Sequence, residues 1–128
     1  MGVNAATSIV DYGDVVPPSR YHDSIFSTVN PQLSEMHAIG LTPLVMGGDH
    51  SISYSICKSI RNNIDRPITI VHFDAHPDIY ESFNGDFHSH ASPFARICEH
   101  PGLCGKLISI GIRTGFRPIL FISPDLAL

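Results

Sequence analysis

The chain has no tryptophan, only three cysteines, and eight lysine and arginine residues among its 128 positions. Cys57, Cys98 and Cys104 are an odd number with no Cys-x-x-Cys pair. That argues against a disulfide framework or a thiolate zinc site, and for reduced thiols in an intracellular compartment. The basic residues are scattered singly and the net charge is −4. There is thus no electrostatic case for a nucleic-acid partner. No apolar run reaches the ~18–20 residues that span a bilayer, and residues 1–10 lack the basic region and apolar core of a signal peptide. A soluble chain with no membrane partner is expected. At 43% hydrophobic and 16% charged, the composition is that of an ordinary globular domain with one core.

What is present is punctuated by short apolar runs. Pro43-Leu44-Val45-Met46, Ile68 to Phe73 and Leu107 to Ile112 are rich in Ile and Val and lack clean polar alternation. They are expected as strands buried on both faces. Ile119-Leu120-Phe121-Ile122 is a fourth candidate. Helical signals fall between them. Asn30-Pro31 reads as a cap and first-turn proline ahead of Leu33, Met36 and Ile39, with Gly40 as the stop. Ser51 reads as the cap of a helix carrying Ile52, Ile56 and Ile60, and Ser92-Pro93 repeats the cap-then-proline signal. Alternating strands and helices predict an α/β fold with a parallel sheet.

In such sheets ligands gather beyond the carboxyl ends of the strands. Two chemistry-bearing segments stand there: Gly47-Gly48-Asp49-His50 after the first run and Asp74-Ala75-His76-Pro77-Asp78 after the second. His50, Asp74, His76 and Asp78 offer hard oxygens and imidazole nitrogen, a donor set suited to divalent first-row ions such as Mn²⁺. Two such ions roughly 3.5–4 Å apart can hold a hydroxide nucleophile between them. A calcium EF-hand is ruled out, because Ile79 and Gly85 stand where its loop needs Gly and Glu. The Gly47-Gly48 pair matches no dinucleotide or phosphate fingerprint and reads as a tight turn. His90, on the loop after Asn84-Gly85, is placed to carry protons near neutral pH. His72, inside an apolar run, reads as a core residue, and His22, His37 and His100 read as solvated surface.

Three segments together carry a family resemblance: Gly47-Gly48-Asp49-His50-Ser51, Asp74-Ala75-His76-Pro77-Asp78-Ile79-Tyr80, and Ser89-His90-Ala91-Ser92. They resemble the ureohydrolases, arginase and agmatinase among them, and are most similar to plant-type arginases from about Asp11 to Arg113. The resemblance implies a three-layer αβα fold with a parallel sheet, here partial and incomplete at both ends, within a single domain over 1–128. It implies a binuclear manganese site, with His50 and Asp78 on one ion, His76 on the other and Asp74 bridging both. His90 would be the proton shuttle, and the metal-bridging hydroxide would attack the guanidino carbon. The substrate would be arginine, giving ornithine and urea, or agmatine, and the loop from Tyr80 to His88 would face its far end. Homo-oligomers are common in the family. Members also carry a later Asp-x-Asp motif and are more than twice as long. After Glu99 the only acidic residue is Asp125. Residues 114–128 follow no family pattern, so a truncated chain with a divergent tail is expected. A non-catalytic metal-binding or interaction fragment and a mononuclear hydrolase are the alternatives.

Overall fold

Ile25, Val29 and Leu33 recur every four residues, so one turn of helix after another presents an apolar side chain to the same side. In the computed structural model, which describes residues 9–114, these three are buried on helix α1, His22–Ala38. The helix begins well before the expected Asn30-Pro31 start and runs through Pro31. An interior proline forfeits one backbone hydrogen bond and costs about 3 kcal/mol. Here Pro31 is exposed, and the buried stripe continues on both sides of it. Tertiary packing outweighs the local start signal.

Helix α2, Ile52–Asn62, lies in the middle of the fold. Its Ile52, Ile56 and Ile60 pack on the α1 stripe. Tyr54 and Cys57 pack on a second cluster of Phe94, Ile97 and Leu103, around which Ile68, Ile70 and Leu107 are gathered. Fully buried Ser55 and Ser59 sit one turn apart on the same helix. Ser51 precedes α2 as expected but makes no side-chain capping bond. Helix α3, Pro93–Glu99, starts with its proline in the first turn, as the Ser92-Pro93 signal implies.

Strands β1, Ile68–Phe73, and β2, Cys104–Ile110, form a parallel pair in which Ile70 is opposite Leu107 and Phe73 is opposite Ile110. The chain is therefore α/β with a parallel sheet, the class its sequence predicts. Two expectations fail among the described residues. Residues 43–46 form no strand, and Leu44 and Met46 are more than 80% exposed. A strand needs a neighbour to complete its ladder, and none pairs with this run. Nor is the pair covered on both faces: Val71, Phe73, Ile108 and Ile110 are exposed. Among the described residues helices cover one face of the pair, which is the expected fold in partial form. The expected strand at 119–122 and the divergent tail lie outside the described residues, apart from Thr114. No described helix is long and apolar enough to cross a membrane.

His22 and His100 are not the solvated residues the sequence suggests, whereas His37 is exposed. The His22 ring stacks on His88 at 4.8 Å and lies 4.4 Å from Tyr54, while its Nδ1 pairs with Ser55 Oγ at 2.7 Å. His100 Nδ1 meets the Tyr54 hydroxyl at 2.9 Å. Burial, with help from nearby His88 and Lys58, pushes the His22 pKa down to about 4, against the opposing pull of Asp23. A base depressed on folding stabilises the fold above its unfolded pKa near 6.5, and that stability is lost as pH falls towards 4. Urea midpoints should therefore fall between pH 6.5 and 4.5, by at most about 3 kcal/mol in stability. His22→Phe should flatten that dependence, and an unchanged pH profile in the variant would refute the assignment.

Candidate metal centre

Beyond the end of β1 the chain turns sharply, and the turn is built by Asp74 itself. Asp74 Oδ1 accepts the His76 backbone N–H at 2.8 Å, an Asx turn. The Asp74 N–H donates to the Ile110 carbonyl at 3.2 Å, which ties the turn to β2. Gly111 follows with φ +94, and a Cβ there would stand 3.2 Å from the Asp74 carbonyl oxygen. Only glycine combines that backbone with that approach. Asp78 has φ +48, a left-handed conformation uncommon outside glycine, and its carbonyl accepts the Phe94 N–H at 3.1 Å. The α3 N-terminus thus holds the far end of the turn in place.

His50 stands between the Gly47-Gly48 turn and α2. Its Nε2 lies 3.5 Å from Asp78 Oδ2 and 4.0 Å from Asp74 Oδ2. Its Nδ1 pairs with Ser53 Oγ at 2.7 Å. His50, Asp74 and Asp78, predicted from distant sequence segments, therefore meet. A fourth residue meets them that the sequence reading set aside as core: His72. Its Nε2 is 3.5 Å from His50 Nε2 and 3.7 Å from Asp74 Oδ2. One donor atom from each of His50, His72, Asp74 and Asp78 lies within 4.8 Å of all the others, a group that could hold a metal ion. The strand's two-residue period places positions 72 and 74 on one side, so the signal was present in the sequence. His72 is nonetheless buried, as that reading expected.

His76 stands apart from that group. Its side chain is 62% exposed, and its Nδ1 faces the other Asp74 oxygen, Oδ1, at 3.2 Å. Asp74 thus turns one oxygen to His50 and His72 and the other to His76. His90 is exposed and packs edge-on against Phe83 at 5.3 Å. With Tyr80, Phe83 and Asp49 it lines one cleft of about 470 Å³ that also contains His50, Asp74, His76 and Asp78. Phe94 was not anticipated either: its ring lies 4.0 Å from His72 and 5.3 Å from His50, a hydrophobic floor beneath both imidazoles.

The two carboxylates are driven in opposite directions. The His76 backbone N–H holds the Asp74 carboxyl below the usual range, over a smaller opposing cost of desolvation. Burial pushes Asp78 up, and the nearby His50 only partly offsets it. Burial likewise lowers the His72 pKa, with His50 adding to the effect. A neutral His72 beside an anionic Asp74 is a pairing of protonation states suited to coordinating a cation.

A parallel pair with a nitrogen-and-oxygen donor cluster beyond its carboxyl end defines the class: an α/β domain with a candidate cation site. The family whose model matches residues 2–121 is the Arginase family, and the chain belongs to it. The mitochondrial arginase of Medicago truncatula is 50% identical over 74 residues, 58% of this chain and 22% of the relative. The agmatinase of Bacillus anthracis is 31% identical over 107 residues, covering 84% of this chain and 36% of its own length. Among solved structures, the arginase from Medicago truncatula superposes with a TM-score of 0.65 at 42% identity, over 77% of this chain and 30% of that one. The proclavaminate amidino hydrolase of Streptomyces clavuligerus gives 0.66 at 28%, over 82% and 35%. The chain spans between about a fifth and two fifths of the length of these relatives.

Proposed function

We propose that this chain forms the ion-gripping and proton-transfer part of a manganese-dependent hydrolase of linear guanidino compounds, converting arginine to ornithine and urea. The observation that carries the reading is the convergence of His50, Asp74 and Asp78 on one side of a cleft that His90 also lines. The donors are nitrogen and carboxylate oxygen with no thiolate, a set that fits Mn²⁺. Asp74 faces two sides, so Oδ2 would serve one ion with His50 and Asp78, and Oδ1 would serve a second with His76. When bound, the ions supply Lewis acidity and a water nucleophile at neutral pH.

The remaining chemistry belongs to side chains. Asp49, Asp74 and Asp78 make the cleft acidic, which favours a cationic guanidinium. His90, exposed at the cleft wall and steadied by Phe83, holds the proton that the departing amine requires. Tyr80 and Phe83 flank the substrate's far end. Arginine is preferred to agmatine because the identity to the plant arginase exceeds that to the agmatinase. The apolar strand face left exposed among the described residues favours a second reading, a metal-binding fragment that associates with longer subunits.

Elemental analysis of the Mn²⁺-treated chain, beside urea release from arginine and agmatine, tests the proposal. Among the described residues a single group of three or more donors is found, and His76 is not part of it. One ion per chain and no measurable urea from this 128-residue chain are therefore expected. Two ions with turnover would place the whole reaction in this chain, and no bound ion would sink the site.

A further inference from the structure

We propose that His88 is a positioning residue: its ring, stacked on His22 and Tyr54, fastens the loop that carries Phe83 and His90 to helices α1 and α2. The fastening does not depend on a bound ion. Its bearing on proton transfer by His90 rests on the function proposed above.

The loop is shaped by its own short-range bonds. Asn84 and Gly85 both have positive φ, +53 and +79, the left-handed pair that a tight two-residue hairpin turn requires. Phe83 and Asp86 exchange both backbone hydrogen bonds across that turn, each at 3.0 Å. The Asp86 carboxylate then accepts the His88 N–H at 2.9 Å. At the base of the loop the Tyr80 N–H donates to the Ala91 carbonyl at 3.1 Å. Each of these bonds joins the loop to itself or to its own ends. A hairpin this small is marginal alone in water, so it depends on contacts outside itself.

His88 supplies such a contact. Its ring lies face to face on His22, with centroids 4.8 Å apart and planes within 10°. It also lies 5.7 Å from Tyr54, at 26°. His22 begins α1 and Tyr54 stands in the first turn of α2, and both are held from behind. His22 Nδ1 meets the fully buried Ser55 Oγ at 2.7 Å, and the Tyr54 hydroxyl meets His100 Nδ1 at 2.9 Å. Burial keeps His22 neutral at pH 7, so no charge repulsion opposes a ring laid over it. The platform is therefore fixed and uncharged, while His88 itself is exposed. An exposed imidazole ordinarily spreads over several rotamers. Two ring partners from remote segments hold this one. On the α3 side the Arg96 guanidinium lies 5.7 Å from the Phe87 ring, a second and looser tether.

The consequence reaches the cleft. His90 follows two positions after His88 and packs edge-on against Phe83, and both line the cleft. Where His88 is seated therefore sets where the His90 imidazole stands relative to Asp74 and Asp78.

Hydrogen exchange and proton NMR of the full 128-residue chain, without added metal, test the proposal. One aromatic pair is worth roughly two- to tenfold in an equilibrium. His88→Ala removes two, so exchange of the Phe83 and Asp86 amides should speed up at least about threefold. Amides of β1 should keep their rates. The His90 ring protons should shift towards the positions of an unstructured histidine as the Phe83 contact loosens. His88→Phe keeps a stacking ring and should restore loop exchange to within about twofold of the parent, and the His90 signal with it. Because His88 is exposed, neither substitution threatens the core. Local acceleration in His88→Ala with rescue in His88→Phe supports the proposal. Unchanged loop exchange or an unmoved His90 signal in His88→Ala overturns it. So does failure of the phenylalanine to rescue, or equal acceleration in β1. Parent loop amides that exchange as fast as an unstructured peptide overturn it too.

Discussion

Ile97→Ala should cost between about 2 and 5 kcal/mol, the range for truncating a fully buried aliphatic side chain. Ile97 is 0% exposed and packs in the cluster with Phe94 and Leu103, the only cluster of the described residues that joins α2, α3 and the strand pair. A domain of this size has about 5–15 kcal/mol of stability, and among the described residues one face of this sheet is uncovered. The expected result in a urea titration followed by circular dichroism is a midpoint near zero denaturant or loss of the cooperative transition. Ile97→Val, which removes one methyl, should cost only about 0.5–1.5 kcal/mol. Equal midpoints for the two variants would mean the second cluster is not packed as described. The effect should reach the candidate site as well. Helix α3 gives its Phe94 N–H to Asp78 and its Phe94 ring to His72. Any Ile97→Ala protein that folds should therefore bind Mn²⁺ more weakly.

Asp78→Asn should produce two effects of opposite sign. Mn²⁺ affinity should fall by about a hundredfold or more, since loss of a direct carboxylate donor exceeds the ~10–100-fold cost of an outer partner. Stability of the metal-free chain at pH 7 should rise. Asp78 is 9% exposed and burial raises its pKa. An acid raised on folding gives its full stabilisation below its unfolded pKa and loses it as pH climbs through the folded value. At neutral pH the ionised carboxyl is therefore a cost, partly relieved by His50 at 3.5 Å. Asparagine removes that cost and tolerates the φ of +48 that an ordinary side chain resists. Chelator-treated protein compared at pH 7 by urea midpoint, with Mn²⁺ titration alongside, checks both signs. A variant that binds Mn²⁺ within threefold of the parent would remove Asp78 from the site. A lower midpoint would refute the burial argument.

The opposition between those two signs is the ordinary signature of a functional residue. Asp78 is strained in backbone, desolvated in side chain and held by a helix it does not belong to. Stability alone would not select that arrangement; cation binding would.

How legible this was from the chain varied with the kind of information needed. The alternation of apolar runs with cap-and-proline signals predicted α2, α3 and both strands, since each is decided by residues within a few positions. The expected start at Pro31 failed because a cap-and-proline signal is local, whereas the buried stripe Ile25, Val29 and Leu33 carries the helix through it. The strand at 43–46 failed because a ladder requires a partner elsewhere in the chain. The same division holds at the site. His50, Asp74 and Asp78 were readable as donor types that follow apolar runs. His72 was not chosen, because its role depends on whether Nε2 meets another apolar side chain or the Asp74 carboxylate.

The sequence by itself determined the family, the α/β class and the nitrogen-and-oxygen donor chemistry, because residue type and spacing are local properties. Only the tertiary structure decided the rest. It showed that Asp74 divides its two oxygens between the His50–His72 side and His76, and that among the described residues α2 and α3 cover one sheet face and leave the other exposed. It also showed that burial drives Asp78 against its own charge. Each of these depends on distances between segments remote in the chain, and such distances are fixed only when the core closes.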